Sequence, residues 1–138
     1  MNIIRWDPFR TLFGVTGQGY PSLFDDGEPT WVPAIDVFER NDRLVIRAEI
    51  PGLDRKEIEV RVEDGQLVLQ GERKREAGLT EENAYRLERN HGSFVRRFRL
   101  PESLDLSKID ATYENGILEV TLPRSEEARP RKIEIRAA

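Results

Sequence analysis

Ile58-Glu59-Val60-Arg61-Val62-Glu63-Asp64-Gly65-Gln66-Leu67-Val68-Leu69-Gln70 is the stretch on which the fold turns. Ile58, Val60 and Val62 alternate with Glu59, Arg61 and Glu63. Successive strand side chains point to opposite faces, so this period of two describes a strand with one buried face and one wet face. Asp64-Gly65 supplies the positive backbone φ that a two-residue hairpin turn requires, and the β-rich run Leu67 to Gln70 comes back from it.

The same pattern extends in both directions. Ala34 to Phe38 begins a first strand, Asn41-Asp42 turns the chain into Leu44 to Ile50, and Pro51-Gly52 ends that strand. Phe94 to Leu100 alternates and stops at Pro101. Ile109 to Glu114, the turn Asn115-Gly116 and Ile117 to Leu122 make a second hairpin that ends before Pro123. Six or seven short strands with regular turn signals and no long helical stretch predict an all-β fold, an immunoglobulin-like β-sandwich.

The chain divides into an arm over residues 1–33, a sandwich domain over 34–124 and a C-terminal extension over 125–138. The arm scatters Trp6, Phe9, Leu12, Phe13, Tyr20, Leu23, Phe24 and Trp31 among glycines and prolines, so neither periodicity survives in it. It is too aromatic for an ordinary linker and too interrupted for a packed domain, which describes a sticky, mobile segment. Residues 72–93 are long, charged and punctuated by glycine. A loop of that length in a compact domain implies a task of its own, the local alternative being a short helix over Glu81 to Arg89. The extension is polar until Ile133-Glu134-Ile135, with Pro130 keeping the approach extended. In an extended segment Ile133 and Ile135 project from one face as a pair of knobs; the alternative is a frayed terminus.

Composition excludes several function classes. The 138 residues carry a formal net charge of −4, and acidic groups are interleaved with the arginines, so no positive surplus marks a nucleic-acid partner. With no cysteine there is no disulfide, thiolate nucleophile or Cys-ligated zinc. Met1 to Tyr20 lacks a basic run followed by an apolar stretch, and nothing approaches the ~18 apolar residues that span a bilayer. The expectation is a soluble, cytoplasmic protein without a membrane span. His91 is the sole histidine, too few for a multi-His metal site or a nucleophile–base pair. No phosphate loop is present, and Gly14, Gly17 and Gly19 are in the wrong order for a dinucleotide fingerprint. The sequence therefore predicts no enzyme and no cofactor, and a sandwich that works by binding.

Six motifs stand in order along the chain: Trp6-Asp7-Pro8-Phe9-Arg10, Pro33-Ala34-Ile35-Asp36-Val37, Ile50-Pro51-Gly52, Gly92-Ser93-Phe94-Val95-Arg96-Arg97-Phe98-Arg99-Leu100-Pro101, Tyr113-Glu114-Asn115-Gly116-Ile117-Leu118 and Ile133-Glu134-Ile135. Together they resemble bacterial small heat-shock proteins, which carry the alpha-crystallin domain, and the resemblance covers the whole chain. It implies an ATP-independent chaperone, or holdase, working as a dynamic oligomer of strand-exchanged dimers. Its partners would be copies of itself and unfolding client proteins. It also implies that Ile133 and Ile135 enter a groove of a neighbouring subunit between the strand of Ile58, Val60 and Val62 and the strand carrying Ile109, Ala111 and Tyr113. Within the 72–93 loop, Tyr85 and Leu87 would dock beside Ile35 and Val37 of a partner, closing an exposed sheet edge.

Arg96 shares a strand face with Phe94, Phe98 and Leu100 and occupies the position of the family's dimer-interface arginine. The alternative is an arginine whose stem packs while its head reaches water. Trp6, Phe9, Leu12, Phe13, Phe24 and Trp31 are the expected client-binding set, since irregular apolar client surface calls for adaptable aromatic contacts. The rival expectation is a p23-like β-sandwich co-chaperone or scaffold that binds one folded partner.

Overall fold

A computed structural model describes residues 31–128 and 130–138. Among them run seven strands: β1 (Ile35–Arg40), β2 (Arg43–Glu49), β3 (Ile58–Glu63), β4 (Gln66–Arg73), β5 (Gly92–Arg99), β6 (Asp110–Glu114) and β7 (Ile117–Pro123). They form two antiparallel sheets, one ordered β1-β2-β7-β6 and the other β3-β4-β5. The only helical pieces among the described residues are single 3-10 turns at Arg55–Glu57, Leu106–Lys108 and Glu126–Ala128. This is the β-sandwich that the alternation predicts.

Hairpin chemistry sets the connections. The paired turn residues Asn41-Asp42, Asp64-Gly65 and Asn115-Gly116 all have positive φ, between 50° and 77°. That geometry matches the natural twist of the strands they join. Gly116 also lies so close to Pro51 that a Cβ would sit 2.8 Å from the Pro51 Cβ. The Ile50 amide donates to the Gly116 carbonyl at 2.8 Å. The Ile50-Pro51-Gly52 and Asn115-Gly116 motifs are thus two halves of one contact.

The core fills from alternate positions of both sheets. β2 contributes Leu44, Ile46 and Ala48, β7 contributes Leu118, Val120 and Leu122, β4 contributes Leu67 and Leu69, and β5 contributes Phe94 and Phe98. Gly71 leaves room for Phe94: a Cβ there would come within 2.7 Å of both the Phe94 ring and the Glu57 carbonyl. Two valines of opposite parity, Val45 and Val68, are also buried. Val45 stands opposite Phe38, whose ring lies beneath the guanidinium groups of Arg40 and Arg47. Val68 is flanked in register by Arg61 and Arg97, whose aliphatic stems are long enough to cover it.

Trp31 corrects the expectation of an arm reaching to residue 33. It is 8% exposed and belongs to the core, its ring edge-on to Phe94 at 5.1 Å. Its indole N–H donates to the Gly92 carbonyl at 2.9 Å, and the Arg73 guanidinium lies 4.1 Å above its ring. Pro33 is buried as well, so the interior begins before Ala34. An indole closed in on these sides is not presented to a client by the folded subunit.

This entry segment also fixes how the sheets lie. Trp31 and Pro33 hold β5 through Gly92 and Arg96 and then lead directly into β1. The β5 edge and the β1 edge are therefore on one side of the sandwich, which leaves β3 and β6 together on the other. Between β4 and β5, residues 74–91 hold turns and no helix, so the helical alternative over Glu81 to Arg89 is not adopted. Residues 130–138 have no regular structure.

Candidate functional site

The β3/β6 side contains the residues expected to form the groove. Odd-numbered positions of β6 and even-numbered positions of β3 face the interior, which brings Ile58, Val60, Ile109 and Tyr113 half-buried against the core. Val62 and Ala111 are more exposed. Ile109 precedes β6 and caps the short turn Leu106–Lys108. Tyr113 is pinned rather than loose: its hydroxyl donates to the carbonyl of Ile50 at 2.7 Å and reaches that of Leu53 at 3.2 Å. The side thus presents an apolar line between two strand edges. On the outer face of β3, Arg61 joins Glu59 and Glu63, and Gln70 donates to Glu59 at 2.8 Å. The Gln70 hydrogen bond, followed by that from Arg61, holds the Glu59 carboxyl below its ordinary pKa.

Ile133 and Ile135 are the knobs that the sequence marks, and they stand 82% and 94% exposed. They do not fold back onto their own subunit. The extension leaves the sandwich at Arg124, which bridges to Leu104 and is held by Glu39 and by Asp42 at 3.5 Å.

The β1/β5 side holds the residues expected at a dimer interface. Ile35 and Val37 point inward from β1, half-buried against the core. Arg96 is half-buried on β5, donates to the Pro33 carbonyl at 3.4 Å and lies 5.6 Å over the Phe98 ring. Its neighbour Arg97 faces outward, 3.9 Å from Glu63. Tyr85 and Leu87 are not brought to this side by their own chain. Tyr85 is fully exposed in the long loop and Leu87 is exposed beside it.

One cluster escaped the sequence analysis. Arg73 at the end of β4 stacks on Trp31 and donates to the Asn90 carbonyl at 3.1 Å, so both ends of the long loop meet at the indole. Burial, and then the like charge of Arg89, pushes the Arg73 guanidinium below its ordinary pKa. A tryptophan at the end of an irregular aromatic segment carries no periodic signal of burial, so the sequence offered nothing to separate Trp31 from Phe24. Trp6, Phe9, Leu12, Phe13 and Phe24 lie outside the described residues.

Among the described residues no three His, Cys, Asp or Glu side chains come together to hold a metal. His91 sits in the exposed loop, 3.2 Å from the Arg75 guanidinium. No helix among the described residues is long and apolar enough to cross a membrane.

The fold defines an antiparallel β-sandwich with half-buried apolar residues along its strand edges and exposed isoleucines in its tail. More narrowly, the chain belongs to the Hsp20/alpha crystallin family, whose model matches residues 36–136. It is 35% identical over 134 residues to spore protein SP21 of Stigmatella aurantiaca (strain DW4/3-1), covering 96% of this chain and 76% of that protein. It is 38% identical over 128 residues to a 17.4 kDa class I heat shock protein of Oryza sativa subsp. japonica, covering 91% and 83%. Among solved structures, a small heat-shock protein from Xylella fastidiosa, described as having a distinct high order structure, superposes with a TM-score of 0.68. The two are 39% identical over 78% of this chain and 99% of that one. The sandwich is therefore the alpha-crystallin domain of a small heat-shock protein, and family membership supports a chaperone role rather than an enzymatic one.

Proposed function

We propose that the protein is an ATP-independent holdase that binds partly unfolded proteins and keeps them from aggregating, working as a dynamic oligomer of strand-exchanged dimers. The observation that carries this reading is the exposure of Ile133 and Ile135 in a polar tail on a subunit that also leaves an apolar line along β3 and β6. The tail of one copy enters that line on another. Burying two isoleucines contributes roughly 3–6 kcal/mol gross, and immobilising the tail removes much of it. One contact is weak and reversible, while many in a closed assembly are not.

The long loop supports the dimer. Tyr85 and Leu87 add to the β1 edge of a second copy beside Ile35 and Val37, with Arg96 at the adjacent β5 edge. That pairing covers an edge which would otherwise template aggregation. The aromatic arm, through Trp6, Phe9, Leu12, Phe13 and Phe24, takes up clients, and loosening of the assembly uncovers it. The protein works in the cytoplasm without cofactor, metal or nucleic acid.

The test is light scattering from a heat-labile client warmed with and without the protein, in the absence of nucleotide. Suppression at near-equal subunit ratios is expected. A client that aggregates on the same time course with or without the protein overturns the reading.

A further inference from the structure

The outer face of the four-stranded sheet carries a cross-strand row of charge. Asp36 on β1 stands opposite Arg47 on β2, Arg47 opposite Glu119 on β7, and Glu119 opposite Thr112 on β6. Arg47 commits its Nε to Glu119 at 2.6 Å, on the side away from Asp36. From the β1 edge inward the row is negative, positive, negative, and its member on the edge strand β1 is the exposed carboxylate of Asp36.

We propose that Arg86 of a second copy completes this row by pairing with Asp36, and that this pair sets the register of the exchanged loop. The inference rests on the strand-exchange reading above and deepens it. If Tyr85 and Leu87 take the places beside Ile35 and Val37, Arg86 falls opposite Asp36 whether the added strand runs parallel or antiparallel, because it is the middle residue of both triplets. Alternation then puts Arg86 on the outer face, since Asp36 projects away from Ile35 and Val37.

Slipping by one residue would turn Tyr85 and Leu87 onto the charged face. Slipping by two would set Arg86 against Ala34 or Phe38, neither of which offers a carboxylate. Arg86 is available for the exchange. In the single subunit it pairs with Glu88, at 3.5 Å with both side chains more than three-quarters exposed, an ion pair of the kind water readily replaces.

Charge reversal in the 138-residue chain tests this. Arg86→Glu sets two carboxylates against each other at both contacts of a symmetric dimer, and Asp36→Arg sets two cations there. Each is expected to weaken self-association about tenfold. Mixed, the two variants are complementary at both contacts. At one, the introduced carboxylate of the first chain meets the introduced guanidinium of the second; at the other, the native Arg86 meets the native Asp36. Native mass spectrometry should then show mixed pairs about tenfold over the statistical ratio.

Random mixing overturns the proposal. A Tyr85→Ala/Leu87→Ala chain separates the two ideas. If it dissociates while the charge variants mix at random, the ladder falls and strand exchange stands. If it associates like the unmodified chain, strand exchange falls and takes the ladder with it. A second readout uses the absence of cysteine. Arg86→Cys chains mixed with Asp36→Cys chains, with oxidised glutathione as oxidant, should form a disulfide-linked dimer, because directly opposed strand residues lie within disulfide reach. Failure to cross-link overturns the register.

Discussion

Trp31 and Gly92 are 61 residues apart and joined by a 2.9 Å hydrogen bond from indole to carbonyl. The bond ties the segment that enters β1 to the end of the long loop, and Arg73, stacked on the same indole, ties in the start of that loop. Entry segment, loop and sandwich therefore share one contact point. Removing it should destabilise the subunit itself. Trp31→Ala is expected to cost about 3–5 kcal/mol, the range for truncating a buried aromatic. Trp31→Phe keeps an aromatic ring in the core and should cost less, about 1–2 kcal/mol, chiefly for the stranded carbonyl. Chemical unfolding of the two variants checks both the size and the order.

Arg96 and Arg97 are adjacent and face opposite ways. Arg96 is half-buried beside Pro33 at the edge proposed for exchange, whereas Arg97 pairs across the outer face with Glu63 at 3.9 Å. Arg96→Ala should raise the dimer dissociation constant by about tenfold or more, because an interfacial charge in a desolvated setting is costly to lose. Arg97→Ala should change it less than about fivefold, as half-exposed ion pairs do. Equal dissociation constants in analytical ultracentrifugation would count against the assignment.

The tail should be separable from the subunit fold. With Ile133 and Ile135 exposed on their own chain, an Ile133→Ala/Ile135→Ala variant removes no core contact. Its stability is expected within about 0.5 kcal/mol of the parent, in line with other surface substitutions. Its assembly should fall to dimers. A variant that retains the parent's size in native mass spectrometry would show that the tail isoleucines do not hold the assembly.

Glu59 gives a pH signature for the β3 edge. Its pKa is lowered by hydrogen bonds first from Gln70 and then from Arg61, so the ionised form is favoured in the folded state. A depressed carboxylate contributes stability above its unfolded pKa and loses it as the pH falls through the folded value. The window therefore lies below the ordinary 4.5. In an NMR titration the Glu59 midpoint should fall below 4.5 in the parent and rise toward it in Gln70→Ala.

Much of the fold was legible because the strands declare themselves twice, once by alternation and once by their turns. Asp64-Gly65 and Asn115-Gly116 fixed two hairpins, and each has the positive φ that the residue types imply. Inner-face positions such as Ile58 and Val60 followed from alternation, and both pack against the core. Val45 and Val68 face outward yet are buried, because arginine stems and Phe38 can roof a valine without any change in the pattern. Trp31 was illegible because its burial depends on partners at Arg73, Gly92 and Phe94, all more than forty residues away. The groove and the interface were readable only as positions along edges. What fills an edge is a property of two chains, and one sequence encodes it only through pairs such as Ile133 with Ile135 and Tyr85 with Leu87.

Whether segments of one chain complete the sheets of another is decided by native mass spectrometry of the 138-residue protein at micromolar concentration. An assembly with an even number of 16.0 kDa subunits that exchanges subunits with an isotopically labelled population is expected. A single 16.0 kDa species across that concentration range would contradict it.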